Sequence, residues 1–592
     1  MGGIIGGRLG GSEIGDALDG LAGESESSWC HEYGDFGLGI TSHDADERGS
    51  ATWTDGVRAG VIDGAVTNLD ELGWDVEDVF DRLLSRPAET AAALDGAFVI
   101  ACMDPTTDRH LVVTDKLGAR PAFHVRSGRL AYASGVDVLL SHIDEPSVNV
   151  QAVSDLLLMG NLWSDHTLVE EIVAQRPATV VDVTADERSS TRYWKPDYTE
   201  ASPDKGYLVE LTRRYQQAVE RTSNTLPSRA GIWLSGGLDS RTTAAALHRY
   251  QDTAGFELES YTYDANPPTS DNPKIARQVA RRLGIEHHEV PLTAGIVGEN
   301  FERLVEATDG MHMWAYGANL AATYGMDSPP PVVLEGMQGS LLGDHLYRYH
   351  LTEFSSPVDS QLSSESMTST DQVKSLLTEP VDPLESFRRE ASLSEESSVR
   401  DVVLDVHFGN YHSRVFMPSN RVMRDRINTR VAQADREYLE WCAKLPCQYR
   451  KGSFRMRGVP DGGIPFEPTR IKLALIRELD PELADIRYER SKVKPSRPYP
   501  VHVAGFVGNV VVNRLRSRPT YGNGQLPDFW IRDTSTAVHD HVTRLVDDAC
   551  DRDLFDADAV RSVYDDHMDG SNNASMLSAI TTLEYWLGTH LD

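Results

Sequence analysis

The pattern of hydrophobic and polar positions changes near residue 200. Before that point, short apolar runs are separated by turns rich in Gly, Asp and Ser, which is typical of strands joined by hairpins. Segments 68–72 and 76–84 have a helical period. We therefore predict a strand-rich N-terminal domain over residues 1–197, with strands at 36–40, 57–62, 97–103, 110–114 and 130–133.

After residue 205, strand and helix patterns alternate. Alternation of this kind predicts a parallel sheet with crossover helices. From residue 402 onward the pattern is mostly helical, while 355–400 is rich in Ser, Glu and Asp and is expected to be a mobile insertion. The second predicted domain is 205–592, with strands at 231–234, 257–263, 286–290 and 332–334 and helices at 206–223, 241–250 and 273–283.

Length and charge narrow the class of protein. A chain of 592 residues is too long for one hydrophobic core. The net charge of −33 comes from 57 basic and 90 acidic side chains, and ten of the basic ones are Lys. An acidic, Lys-poor surface indicates a salt-rich cytoplasm, although an acidic protein from a GC-rich genome is an alternative. The charge argues against a nucleic-acid partner, which needs a basic face.

The five cysteines are scattered and form no CxxC pair, so the sequence predicts neither a zinc site nor a disulfide framework. No uninterrupted apolar run reaches the roughly 18 residues needed to span a membrane. The N-terminus also lacks the charged region of a signal peptide. We therefore expect a cytoplasmic protein with no membrane partner.

The strongest chemical signal lies between the strand 231–234 and the following helix. Gly236 and Gly237 let the backbone approach an anion, and the helix N-terminus attracts negative charge. Asp239 among such groups indicates Mg²⁺ held between phosphates. Because no Gly-Lys-Ser/Thr follows, the segment is not a Walker loop. The candidate pyrophosphate-binding loop consists of Leu234, Ser235, Gly236, Gly237, Leu238, Asp239 and Ser240.

This loop resembles that of the ATP pyrophosphatase (PP-loop) family, and most of the chain resembles glutamine-dependent asparagine synthetases. The resemblance rests also on the Leu-Asp-Gly-Ala-Phe segment at 94–98, the Asp-x-Leu-Gly-x-x-Pro segment at 115–121, the Tyr-Trp pair at 193–194 and the Leu-Gly-x-x-His-His segment at 283–288. It implies an α/β and α+β multidomain fold. An Ntn-hydrolase-like β-sandwich flanked by helices would precede a parallel-sheet, HUP-like domain with a helical C-terminal part.

The resemblance implies the reactants as well. ATP and Mg²⁺ would be the cofactors, a small-molecule or peptide carboxylate the substrate, and ammonia or an amine the nitrogen donor. It leaves a homodimer open as the assembly. The His-His pair at 287–288 resembles a metal site, but the strand pattern around it favours a structural role.

The first domain departs from the family at three positions. Gly2 stands where the family has its nucleophilic Cys, and Asp63 stands where the family has the Asn of its oxyanion pair. Gly135 falls where an acid holds the amino group of glutamine. These losses predict a domain without glutaminase activity.

The second domain departs too. Gly336 is kept on the adenine side, but Ser340 replaces the expected second Mg²⁺-binding Asp, for which Asp344 is the substitute candidate. Asn428 replaces a Glu close to the acceptor chemistry. The Arg-Ser-Lys-Val-Lys segment at 490–494 resembles an Arg-x-Lys segment whose Lys stabilises the leaving pyrophosphate. Lys492 is the first candidate for that lysine and Lys494 the second.

The sequence thus predicts an AMP- and pyrophosphate-forming amide ligase of the asparagine synthetase type without its own glutaminase. Asp239 and Lys492 are its candidate catalytic residues, and Asp239 and Asp344 its candidate metal ligands. Relatives that lack the N-terminal Cys include β-lactam synthetases and lasso-peptide cyclases. One alternative is a non-catalytic or regulatory nucleotide-binding homologue. A base-modifying activity on tRNA fits poorly with the acidic charge.

Overall fold

The computed structural model describes residues 2–22, 26–43, 48–184, 188–264, 271–334, 336, 338–454, 464–465, 470–515 and 525–592. The N-terminal part contains two six-stranded antiparallel sheets with strand orders β10-β8-β9-β1-β3-β2 and β12-β11-β7-β6-β5-β4. The strands are β1 (Gly3–Gly7), β2 (Glu26–Tyr33), β3 (Phe36–His43), β4 (Ala51–Thr54), β5 (Ala59–Val66), β6 (Gly96–Asp104), β7 (Arg109–Thr114), β8 (Phe123–Val125), β9 (Ala131–Ala133), β10 (Ile172–Ala174), β11 (Thr179–Val183) and β12 (Arg188–Arg192).

The two sheets pack face to face, because apolar side chains from both form one buried cluster that includes Ile4, Leu38, Val61 and Val99. Helices cover the outer face of each sheet, so helices and sheets together form four layers. This β-sandwich flanked by helices agrees with the sequence prediction. These helices are α1 (Gly11–Leu21), α2 (Leu69–Leu72), α3 (Val76–Ser85), α4 (Pro87–Ala93), α5 (Asp137–Leu140) and α6 (Val150–Met159).

The second part is built on a five-stranded parallel sheet with the order β15-β14-β13-β16-β17. Crossover helices connect its strands, as the alternating pattern predicts. The elements are α7 (Lys205–Ser223), β13 (Arg229–Trp233), α8 (Asp239–Ala254), β14 (Glu257–Thr262), α9 (Asp271–Leu283), β15 (Glu286–Glu289), α10 (Ala294–Glu299), α11 (Phe301–Glu306), α12 (Trp314–Gly317), β16 (Val332–Leu334) and β17 (Asn428–Arg430).

Helices dominate the remainder of the described chain. Three stretches of 3₁₀-helix (Leu320–Gly325, Cys447–Tyr449 and Leu483–Asp485), one π-helix (Tyr411–Phe416) and a two-stranded ribbon of β18 (Ser453–Phe454) and β19 (Ile464–Pro465) complete it. The helices are α13 (Arg348–Thr352), α14 (Pro357–Glu365), α15 (Thr370–Leu376), α16 (Glu385–Leu393), α17 (Val399–Asn410), α18 (Met417–Arg424), α19 (Arg436–Ala443), α20 (Arg470–Leu479), α21 (Tyr499–Leu515), α22 (Gln525–Arg532), α23 (Ala537–Asp551), α24 (Ala557–Met568) and α25 (Ala574–His590).

The segment 355–400 differs from the sequence prediction of a mobile insertion. It forms α14, α15 and α16, and their buried side chains include Val373, Leu376 and Phe387. Glu390 is buried as well and pairs with Arg176 of the first domain at 2.7 Å. A few well-placed apolar residues and one ion pair therefore anchor a segment whose overall composition suggests mobility. Of the helices described, none is long and apolar enough to cross a membrane.

Candidate active site

The phosphate loop, residues 234–240, joins the central strand β13 to α8, as the sequence predicts. Its shape is held by its own two serines. The backbone N–H of Ser235 donates to Oγ of Ser240 at 3.0 Å, and the N–H of Gly237 donates to Oγ of Ser235 at 3.1 Å. The two hydroxyls are themselves 2.9 Å apart. These serines therefore fix the turn before any anion arrives.

The N-terminus of α8 is arranged to receive negative charge. The first N–H groups of a helix lack intrahelical acceptors, and no side chain caps those of α8. By contrast, Asn149 caps α6 and Asp204 caps α7. The side-chain oxygen of Asn272, at the start of α9, accepts the N–H of Gly236 at 2.6 Å and braces the loop from outside. The uncapped helix end suits phosphate oxygens.

Gly336, which follows β16, touches the start of α8 and has no room for a side chain. A Cβ atom there would lie 2.4 Å from both the Cα and the backbone N of Ser240. The two loops that follow the neighbouring strands β13 and β16 are thus in backbone contact. A glycine is therefore required at position 336, the position that the sequence predicts to lie on the adenine side.

Asp239, Asp344 and Lys472 form a charge cluster beside the loop. Nζ of Lys472, on α20, lies 2.7 Å from Oδ1 of Asp239 and also contacts the Asp344 carboxylate. The Lys472 side chain is 8% exposed, whereas those of Asp239 and Asp344 are 26% and 18% exposed. One ammonium group is therefore shared by two carboxylates that solvent can still reach.

The pKa values reflect this sharing. Burial alone would lower the pKa of Lys472, but the two carboxylates outweigh it and raise that pKa above its usual value. Burial raises the pKa of Asp239, and Asp344 acts in the same direction while Lys472 opposes it. Oδ1 of Asp344 has no hydrogen-bond partner among the residues described. Two neighbouring carboxylates offer the oxygen ligands that Mg²⁺ requires.

The segment 490–494, which carries the candidate lysines Lys492 and Lys494, lies next to the phosphate loop. The N–H of Glu489 donates to the carbonyl of Gly236 at 3.2 Å. Lys492 has a left-handed backbone (φ 58°), which costs a non-glycine residue about 1 kcal/mol. Its Nζ pairs with Asp271 at 2.7 Å, next to the bracing Asn272. Lys494 points elsewhere and lies 3.8 Å from Asp485. Lys492 is thus at the rim of the loop.

Arg241 ties this segment to the loop. It is fully buried on α8, and its guanidinium donates to the carbonyls of Ile486 and Arg487, each at 2.9 Å. Burial lowers the pKa of Arg241 to about 10. The same side chain therefore belongs to the helix that follows the phosphate loop and fixes the chain that carries Lys492.

Lys451 is a second lysine near the charge cluster. Its Nζ lies 5.0 Å above the ring of Tyr347, and its side chain is buried. Burial lowers its pKa to about 7, and Arg490 and Lys472 act in the same direction, while Asp344 opposes them. Part of this lysine population is therefore uncharged at neutral pH and able to accept a proton.

The three altered positions of the first domain lie around β1, where a buried network fills the space. Nη2 of Arg424, from the end of α18, donates to the carbonyl of Gly2 and to Oδ2 of Asp63, both at 2.9 Å. Arg120 approaches the other oxygen of Asp63 at 3.3 Å and donates to Oδ1 of Asn428 at 2.6 Å. We call Gly2, Asp63, Arg120 and Arg424 the filled pocket.

Electrostatics hold this network together. Burial alone would raise the pKa of Asp63, but Arg120 and Arg424 outweigh it and lower that pKa. Gly135 lies nearby, one residue after Ser134, whose N–H bonds to the carbonyl of Ile4 at 2.9 Å. A Cβ on Gly135 would meet Oδ1 of Asp137 at 2.6 Å. The structure thus brings Gly2, Asp63 and Gly135 to one region.

Two known families match parts of the chain. A family described as Asparagine synthase matches residues 210–588, which is more than half of the chain. The chain belongs to the asparagine synthase family. A second description, Glutamine amidotransferase domain, matches residues 75–194.

Individual relatives are more distant. Over 217 residues the chain is 27% identical to asparagine synthetase [glutamine-hydrolyzing] of Pongo abelii, covering 34% of this chain and 36% of that protein. For the Rattus norvegicus protein of the same description the identity is 28% over 213 residues, with the same coverage. Asparagine synthetase B of Escherichia coli K12 is 23% identical over 235 residues, covering 38% of this chain and 37% of that one. The chain therefore matches about a third of each relative's length.

Among solved structures, glutamine phosphoribosylpyrophosphate (PRPP) amidotransferase from B. subtilis, complexed with ADP and GMP, aligns at a TM-score of 0.26 and 10% identity. The alignment covers 50% of this chain and 91% of that one. So low a score supports no fold assignment, which rests instead on the strand orders given above.

Several residues that complete these sites were not predicted from the sequence. Lys472 could have been noticed as one of only ten lysines, placed in the otherwise apolar run 471–476 of α20. Arg241 and Arg424 gave no local signal, since their partners are distant in the chain. Of the altered acceptor positions, Ser340 contacts Nε2 of His412 through its hydroxyl at 3.1 Å.

Proposed function

We propose that this protein is an ATP-dependent amide ligase of the asparagine synthetase type that forms AMP and pyrophosphate and has no glutaminase activity of its own. The observation that carries the proposal is the pre-shaped phosphate loop next to the charge cluster of Asp239, Asp344 and Lys472. Membership of the asparagine synthase family supports it.

In the first step, a substrate carboxylate oxygen attacks the α-phosphorus of ATP. A new P–O bond gives an acyl-adenylate, and pyrophosphate leaves with the electrons of the broken bond. The loop N–H groups and the start of α8 hold the leaving pyrophosphate, and Lys472 and Lys492 neutralise its charge. Asp239 and Asp344 would hold Mg²⁺, which when bound neutralises phosphate oxygens.

In the second step, the nitrogen of ammonia or an amine attacks the acyl carbon and AMP leaves. The nitrogen loses a proton as the amide forms. Lys451 is our candidate acceptor for that proton because its pKa of about 7 leaves it partly uncharged. Neither step uses the filled pocket.

We infer the absence of glutaminase activity from the residues of that pocket. A thiol nucleophile has no counterpart in Gly2, and the Asp63 carboxylate would repel a developing oxyanion. Arg424 donates to the carbonyl of Gly2 and to the Asp63 carboxylate, both at 2.9 Å, so these two groups already have partners within the chain. We infer that nitrogen comes from free ammonia or an amine.

The test is analysis of the nucleotide products of MgATP incubated with ammonium and a panel of carboxylates, including aspartate and small peptides. The proposal predicts AMP and pyrophosphate in equal amounts with at least one carboxylate. Formation of ADP and phosphate would contradict it. No AMP with any carboxylate, together with unchanged ATP binding by Asp239→Ala, would favour a regulatory nucleotide-binding homologue.

A further inference from the structure

A group of metal-ligating side chains lies immediately beyond the charge cluster. His345 directly follows Asp344, and its Nε2 lies 2.9 and 3.0 Å from the two oxygens of Glu365. The ring of His407 stacks on that of His345 at 5.5 Å between centroids. One ligand atom from each of His345, Glu365 and His407 lies within 4.8 Å of the others. We call these three residues the His-Glu-His cluster.

His407 is buried without the bonds that such a residue normally makes. It is 4% exposed, and within the described ranges neither of its ring nitrogens has a hydrogen-bond partner of normal geometry. The backbone of Ser340 lies near it and raises the pKa of His407, against the larger effect of burial, which lowers it. Nδ1 of the neighbouring His412 is also unbonded among the residues the structure describes. Buried polar atoms left in this state are unfavourable, which indicates that a ligand completes the cluster.

The scaffold around the cluster supports the same interpretation. Its three residues come from separate elements: the turn before α13, the last residue of α14, and α17. Directly after α17 the chain forms a π-helix, an uncommon form that is often found at functional sites. The ring of Tyr411, the first residue of that π-helix, has its centroid 4.0 Å from that of the His345 ring.

We propose that His345, Glu365 and His407 bind one divalent transition-metal ion of the Zn²⁺ type. Two imidazoles and one carboxylate form a ligand set that zinc accepts while keeping a fourth position open. In a tetrahedral site with ligands about 2.1 Å from the ion, the ligand atoms lie about 3.4 Å apart. The three ligand atoms, which lie within 4.8 Å of one another, reach that spacing by rotation of their side chains.

The His-Glu-His cluster differs from the proposed Mg²⁺ site in the chemistry of its ligands. The charge cluster offers carboxylate oxygens, which suit Mg²⁺, whereas imidazole nitrogen suits Zn²⁺ and its neighbours in the first transition row. The open coordination position would belong to the same region as Asp344 and Ser340. A metal ion bound by the His-Glu-His cluster would lie near Ser340, one of the altered acceptor positions. Binding of this ion does not depend on ligase activity.

The experiment measures Zn²⁺ binding to the purified full-length chain after dialysis against a chelator, by titration calorimetry and elemental analysis. We expect about one bound ion, with binding at least about tenfold weaker in His407→Gln and in Glu365→Gln. Co²⁺ in place of Zn²⁺ should give a visible absorption band that both variants lose. Thermal unfolding of the metal-free variants checks that they are folded.

Two control variants make the result specific. His288→Ala removes a histidine that lies 3.5 Å from Glu286 but belongs to no such group of three, and Asp239→Asn alters the charge cluster alone. Both should bind Zn²⁺ as the unaltered chain does. Equal binding by the unaltered chain and by both cluster variants, no binding at all, or loss in Asp239→Asn alone would overturn the proposal.

Discussion

Two charge clusters of this molecule have opposite organisations. In the filled pocket, one carboxylate, that of Asp63, is shared by two guanidiniums, and its side chain is 2% exposed. In the cluster beside the phosphate loop, one ammonium, that of Lys472, is shared by two carboxylates that remain partly exposed. The carboxylate of the first arrangement is shut off from solvent, whereas the two carboxylate side chains of the second are partly exposed.

This difference suggests how the first domain, which we propose has no glutaminase activity, keeps its shape. Arg424 comes from the second domain and Asp63 from the first, so their bond joins the two. Cutting one partner out of such a pair leaves an unpaired buried charge, which is costly. The filled pocket therefore contributes to domain association, and the charge cluster contributes to the proposed ATP chemistry.

The largest expected effect is at the charge cluster. Asp239→Asn removes the carboxylate that pairs with Lys472 and would hold Mg²⁺, so AMP formation should fall by about 100-fold or more. Thermal unfolding should show that the variant is folded, because Asp239 is one of two carboxylates around Lys472. Activity within about twofold of the unaltered protein would show that the cluster is not catalytic.

A smaller effect separates the two candidate lysines. Lys492→Met should lower AMP formation by about tenfold to 100-fold, because it removes a positive charge from the rim of the phosphate loop. Lys494→Met is the matched control, since that side chain pairs with Asp485 instead, and it should stay within about twofold. Steady-state rates of AMP formation decide between them. The reverse ranking would transfer the role to Lys494.

The smallest effect on AMP formation is expected at the filled pocket. Asp63→Asn restores the residue type of the glutaminase family, yet we expect no glutaminase activity. We expect a loss of about 3 kcal/mol in unfolding free energy, since two buried guanidiniums lose the carboxylate that they share. Denaturant unfolding at constant salt measures this. Asp81→Asn, which breaks an exposed pair with Arg58, should change stability by less than about 0.5 kcal/mol.

The pH dependence of that loss has a defined sign. Because Arg120 and Arg424 lower the pKa of Asp63 in the folded protein, its stabilising contribution is complete above the unfolded pKa of about 3.9. It is lost as the pH falls through the lowered folded value. The stability gap between Asp63→Asn and the unaltered chain should therefore be full at pH 7 and shrink below about pH 4. A gap that grows on acidification would contradict the ion-pair account.

The sequence allowed the phosphate loop to be predicted because its chemistry is local. Strand, glycine turn and helix are contiguous there, and Asp239 lies within the turn itself. Asp344 was predictable only as a substitute for Ser340, since its approach to Lys472 depends on folding over 128 residues. Arg424, which meets Asp63 across 361 residues, gave no signal at all. Helices α14 to α16 were missed because a Ser- and Glu-rich composition hides the few apolar residues that anchor them.

We propose that the protein forms AMP and pyrophosphate from ATP although it has no glutaminase activity, and one measurement tests this most directly. Purified protein is incubated with MgATP and a competent carboxylate, and the AMP formed with ammonium is compared with the AMP formed with glutamine. The account predicts AMP with ammonium, and with glutamine no AMP above the level without a nitrogen donor and no release of glutamate. Glutamate release coupled to AMP formation would show that the filled pocket still opens and reacts, and would contradict the account.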